Sequence, residues 1–230
     1  MDTVLIATLF CVLLATGILF LDCRNRIVLS VLLVLNLAFW YLVVGRGMDI
    51  LYAENGWMEN SQVAVLLVSC VGFVCAAFAL RMRDRALALL LAVLCFIFSF
   101  REVDVDELEV PRWVIFLLAE EGRAIFFVVA LGLVIQVLRD ARHYLDHWLG
   151  YLRSSPGIYL LEAAFLLVVL SGAFEEDLFG FQYHVFYEEL SELLAYCLLL
   201  AASLDLPRAL RAIGKYRSRR AIAFPGRYAR

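Results

Sequence analysis

His184, Glu188 and Glu192 recur every four residues in YHVFYEELSELLAY, a spacing that stacks them along one face of a helix. Imidazole and carboxylate are ligand types for a divalent cation, and carboxylates are also groups that move protons in acid–base catalysis. Successive members of the series rise by about 6 Å, so one ion needs further ligands from another helix. Glu189 falls on the neighbouring stripe. Glu188 and Glu189 suit the positive end of a helix dipole. Glu192 lies at least one turn further in, followed by LLAYCLLLAAS, where an ionisable group is costly and marks a functional site by default.

Two other segments supply acidic side chains. REVDVDELE presents Glu102, Asp104, Asp106, Glu107 and Glu109. Its oxygens suit a hard cation, although it lacks the glycine and the closing glutamate of an EF-hand loop. Asp106 and Glu107 are the best placed, because Pro111 and Trp113 turn the chain back towards lipid just after them. If the loop is merely solvated, Arg101 and Arg112 are its ion-pair partners. Glu120 and Glu121 interrupt WVIFLLAEEGRAIFFVVALGLVIQVL, with Arg123 three residues beyond Glu120. The expectation is that at least one of Asp106, Glu107, Glu120 and Glu121 lies within reach of Glu188 or Glu192. Carboxylates so gathered need neutralising, by Arg123 or by a divalent metal.

The remaining candidates have plainer readings. Glu54 and Glu59 precede an apolar run that Asn60 or Ser61 would cap. Glu175, Glu176 and Asp177 are expected to be mostly solvated charge, and Glu162 to pair with a basic-side arginine. His143 and His147 have a chelating spacing, but RHYLDH lacks the glutamate that follows the first histidine in zinc proteases. RDARHYLDHWLGYLR instead predicts an interfacial helix with Tyr144, Trp148 and Tyr151 among the headgroups. Neither a phosphate loop nor a dinucleotide fingerprint is present, nor a Ser-His-Asp order.

The elements that position these groups are set by composition. With 64% hydrophobic and 19% charged residues, the solvent of this 230-residue chain is lipid. Apolar runs recur at 3–21, 27–45, 63–80, 86–100, 124–138, 158–174 and 190–204, most of them near the roughly 20 residues that cross a bilayer. They are continuously apolar rather than alternating, which predicts an all-α bundle of about seven transmembrane helices instead of a β-barrel. The first run has no basic n-region and is expected to be retained as a helix. Five of the six cysteines lie within apolar runs and none forms C-x-x-C, so all six are expected to be packing residues.

Charge gives the orientation. The connections after the first, third and fifth runs, together with the C-terminal segment, hold 16 of the 20 basic residues, and 17 of the 23 acidic residues fall on the other side. The positive-inside rule then places the N-terminus outside and the C-terminus in the cytoplasm of a multipass inner-membrane protein. One bundle is expected over 1–206 and a basic cytoplasmic tail over 207–230. The tail meets anionic inner-leaflet lipid before any nucleic acid, so membrane lipids are the expected partners.

Two resemblances attach to these residues. Glu188-Glu189-Leu190-Ser191-Glu192 opening a last helix, with the E-x-G-x-x-E-like stretch from Glu54 to Glu59, resembles a group of uncharacterised bacterial multipass proteins. Asp106-Glu107-Leu108 before Pro111, together with His184-x-x-x-Glu188, is similar to the D-E-L-P and H-x-x-x-H stretches of alkaline ceramidase-like seven-helix hydrolases. The second likeness implies a zinc-dependent amide hydrolase. Here, however, Glu188 stands in place of a ligating histidine, and no histidine precedes Asp106 in its helix.

The expected function is an outward carboxylate and histidine site in an integral membrane protein. As an enzyme it would be a metal-dependent hydrolase or transferase acting on a lipid or lipid-linked substrate, with His184, Glu188 and Glu192 holding a divalent cation. The alternatives are a proton- or cation-coupled transporter and a non-catalytic assembly partner of an envelope complex.

Overall fold

A computed structural model describes residues 23–53, 56–80, 82–103, 111–118, 121–146, 148–178, 180 and 182–223. Every regular element among them is a helix: α1 (Cys23–Trp40), α2 (Trp57–Ala79), α3 (Met82–Arg101), α4 (Arg112–Leu118), α5 (Ala124–Arg139), α6 (Ala141–Leu145), α7 (Trp148–Leu152), α8 (Ser155–Phe165), α9 (Gly172–Glu175) and α10 (His184–Ala223). Wider π-helical turns extend α1 to Gly45 and join α8 to α9, so that Asn25–Gly45 and Ser155–Glu175 are each one continuous rod.

Four rods are long and apolar enough to cross a membrane: Asn25–Gly45, Trp57–Ala79, Ser155–Glu175 and His184–Ala212. Helix α3 has 20 residues, but Arg83, Asp84 and Arg85 occupy its first turns, and α5 is a shorter apolar helix of 16. The run 3–21 lies outside the described residues. Over the described chain, then, the apolar runs appear as helices at the expected places.

Large apolar side chains cover the outside of the bundle as well as filling its core. Phe78 and Val168 are each 77% exposed on the outside, as expected where lipid is the solvent. Helix α10 is the axis: 61% of its apolar window is buried, against 22% for α1. It packs on α2 and α8, α2 on α3, and α3 on α5. Where α2 meets α10 the backbones approach closely, because a side chain at Gly72 would collide with the Ser203 hydroxyl.

The stretch from 111 to 139 is broken into two helices. A Cβ at Gly122 would stand 2.6 Å from the Phe116 carbonyl oxygen, so only glycine lets the chain turn this tightly on the end of α4. The sequence leaves two readings of this stretch open, one long tilted helix from Pro111 or a separate interfacial or re-entrant piece over 113–119; the helices are separate, and α4 at seven residues is too short to cross a bilayer. The segment RDARHYLDHWLGYLR, expected as one interfacial helix, is likewise two short helices, α6 and α7.

At the basic end a polar knot ties three rods together. Asn25 donates to Asp205 (2.9 Å) and to the Ser155 hydroxyl (2.6 Å), while Arg208 lies 3.7 Å from Asp205. Ser154 caps α8 by accepting from the Gly157 N–H, ahead of a proline in the first turn. Helix α10 does not stop at 206; it continues through Pro207 to Ala223.

Candidate functional site

At the opposite end of the bundle stands Glu192 on α10, 1% exposed and the most buried charged residue among those described. Burying a carboxylate in an apolar helix bundle requires compensating partners, and two neighbouring helices supply them. Arg101, the last residue of α3, sets its guanidinium against the Glu192 Oε1. Ser171, at the end of the π-helical turn before α9, donates to the same oxygen at 2.8 Å. A serine one turn from the C-terminal end of its rod is thus the hydrogen-bond partner of a glutamate two turns into the last helix.

Glu102 lies directly beside this pair. Its Oε1 accepts from the Tyr196 hydroxyl at 2.8 Å and stands 3.8 Å from the Arg101 Nε. Tyr196 lies four residues beyond Glu192, so Arg101, Glu192, Tyr196 and Glu102 close a ring between α3 and α10. Burial, followed by repulsion from Glu192, pushes the Glu102 carboxyl up to about 7, against opposing contributions from Tyr196 and Arg101.

Helix α2 completes the wall. Gln62 donates from Nε2 to the Glu189 Oε2 at 2.8 Å and to the Glu189 carbonyl oxygen at 3.0 Å. Glu59, one turn before Gln62, acts electrostatically on both Glu102 and Glu189. Glu188 is half-buried at the rim, in the field of Glu192, Glu175, Arg101 and His184. Among the described residues six carboxylates, Glu59, Glu102, Glu175, Glu188, Glu189 and Glu192, therefore gather beside the Arg101 guanidinium and the His184 imidazole.

The structure brings His184, Glu188 and Glu192 into one neighbourhood, with Glu189 and Glu102 joining them. The cation on Glu192 is Arg101, whereas Arg123 is exposed at the start of α5. Asp104, Asp106, Glu107, Glu109, Glu54 and Glu120 lie outside the described residues, and the Glu121 side chain is not described. Among the described residues no group of three or more metal-ligating side chains has the geometry to hold an ion.

Ser171, Gln62 and Tyr196 are absent from the sequence-derived candidates. A lone serine or glutamine in an apolar run carries no spacing signal. Tyr196 sits one turn from Glu192 on α10, a spacing that could have flagged it.

Elsewhere, Glu162 is 8% exposed and its Oε2 has no hydrogen-bond partner among the described residues, so the expected arginine pair is not formed there. His143 sits 3.3 Å from the Asp84 Oδ1, and Tyr151 donates to that oxygen at 3.0 Å. His147 lies outside the described residues.

No family model, curated protein or solved structure matches the chain.

Proposed function

We propose that this chain is a multipass inner-membrane protein, N-terminus outside, whose outward carboxylate cluster is an acid–base site acting on a lipid or lipid-linked substrate entering sideways from the bilayer. The observation that carries this reading is the neighbouring pair of unlike carboxylates: Glu192 carries the Arg101 ion pair, while Glu102 beside it titrates near neutral pH. Glu102 is the group that gives and takes the proton, oriented by the Tyr196 hydroxyl. Arg101, whose side chain is 53% exposed, keeps N–H donors for an anionic group of the substrate.

The excess of carboxylates over cations supports a metal-dependent version of the same reading. In it a divalent cation held by His184, Glu188 and Glu192 polarises a substrate oxygen or activates water. A transport reading draws support from Glu162, a buried carboxyl between the two ends of the bundle.

Proteoliposomes made with membrane lipid extract separate these readings. Acid–base chemistry on lipid gives new lipid species with a pH limb centred near 7 that Glu102→Gln removes. Turnover lost to a chelator selects the metal-dependent version. Flux driven by a pH gradient without new lipid species selects transport, and no change of either kind leaves the assembly partner. Reporters fused at Arg230 and within 176–183 check the orientation; a cytoplasmic signal from the second would reverse it.

A further inference from the structure

At the carboxylate end of the bundle Gln62 leaves one atom unanswered. It is 0% exposed on α2, and its Oε1 has no hydrogen-bond partner among the described residues. The amide cannot turn over to relieve this, because its Nε2 donates to the Glu189 carbonyl oxygen at 3.0 Å, and a carbonyl only accepts. Oε1 shares a carbon with that nitrogen, so it stands on the wall that faces Glu189, whose Oε2 takes the second bond at 2.8 Å. Glu59 lies one turn earlier on the same face of α2 and, like Glu189, is half-buried. Gln62 is thus the floor of a corner with two partly exposed carboxylates at its rim. The fields on Glu189 come from Glu192, Glu59 and Glu102, all carboxylates, while the Arg101 guanidinium is engaged with Glu192 and lies beside Glu102.

We infer that this corner binds the primary ammonium of a zwitterionic phospholipid whose phosphate lies against Arg101. The inference rests on the proposed lipid-acting site and names its substrate class. An orphaned acceptor beside two carboxylates calls for a cation that also carries donors. A primary ammonium has three N–H donors, enough for the Gln62 Oε1, Glu189 and Glu59 together. A trimethylammonium has the charge but no N–H, so it leaves the amide oxygen as it stands. A bare metal ion needs its ligands gathered at one short distance, and among the described residues no three carboxylate or histidine side chains are so arranged. The half-exposed Arg101 supplies N–H donors for the phosphate that adjoins the ammonium in such a headgroup.

The test is native mass spectrometry of the full chain in detergent, with phosphatidylethanolamine and phosphatidylcholine of identical acyl chains added in equal amounts, so that the N–H donors are what differs. The wild type is expected to retain phosphatidylethanolamine over phosphatidylcholine by about tenfold or more, the worth of one charge-assisted hydrogen bond. Gln62→Met, close in volume, removes the acceptor and should abolish that preference while retention of phosphatidylcholine stays unchanged. Glu59→Gln, at a half-buried position in the first turn of α2, should lower the preference without disturbing the fold. Equal retention of the two lipids by the wild type overturns the inference, as does a preference that survives both variants. Retention that disappears with a chelator overturns it in favour of a metal ion. Because the readout is binding, the two readings fail separately. A preference without turnover in proteoliposomes removes the acid–base reading alone, whereas turnover of both lipids with equal retention removes this inference alone.

Discussion

Arg101 ends α3 with its guanidinium on the carboxylate of Glu192, a side chain eight residues inside α10. The contact joins the last residue of one helix to the interior of the bundle's axis. It makes the C-terminal end of α3 a structural part of the site rather than a neighbour of it.

Removing the guanidinium strands a buried carboxylate. Arg101→Met is expected to lower stability by about 2–3 kcal/mol, less than the roughly 3–5 kcal/mol of a fully buried pair because the arginine is half exposed. Glu192→Gln should cost less, since an amide oxygen still accepts from Ser171. Denaturant unfolding of the two single variants and the double variant checks this; strictly additive losses would refute the coupling.

The pH dependence has a definite sign. Glu102 is raised from 4.5 to about 7 in the fold, so its contribution is full below about pH 4.5 and is lost as pH rises through 7. The wild type should therefore lose stability relative to Glu102→Gln across that window, by on the order of 3 kcal/mol. Thermal unfolding of both proteins between pH 4.5 and 8 measures the difference. A gap that widens in the wild type's favour with rising pH would contradict it.

The sequence made the helices legible and part of the site with them. Continuous apolar runs predict helices at the places where α1, α2, α8 and α10 stand, and the four-residue series on α10 singles out Glu192. The break at Gly122 was legible only as one of two readings of 111–139, because one glycine among apolar residues is common in membrane helices and only the return of the chain onto Phe116 requires it. Arg101 stood in the sequence as one partner among several. Its pairing with Glu192 depends on how α3 docks against α10, and so does the role of Tyr196. Helix docking is a property of packed surfaces, which local spacing does not encode.

Close approach of α2 and α10 depends on Gly72. Gly72→Ala should destabilise the bundle by about 1–3 kcal/mol, as overpacking does, and Ser203→Ala in the same chain should recover part of the loss. Melting temperatures of the single and double variants decide this, and an additive double variant would rule the contact out.

Asn36 is 1% exposed on α1, and both polar atoms of its amide lack partners among the described residues. Replacing it with leucine, of similar volume, removes two unsatisfied groups and should stabilise by about 1–3 kcal/mol. A fall in melting temperature for Asn36→Leu would mean that the amide is satisfied.

Helix α10 runs unbroken for 40 residues, a rod of about 60 Å in which the N-terminal end is gripped by Arg101, Ser171 and Gln62 and the far end carries basic residues past Pro207. Mechanically this is a lever with its clamp at one end. From Glu192 to Ala223 the arm is about 46 Å, so a tilt of about 5° at the clamp sweeps its far end through roughly 4 Å. Proline at 207 removes one rung of the hydrogen-bond ladder along that arm and makes it the most compliant point, so bending strain from either end concentrates there.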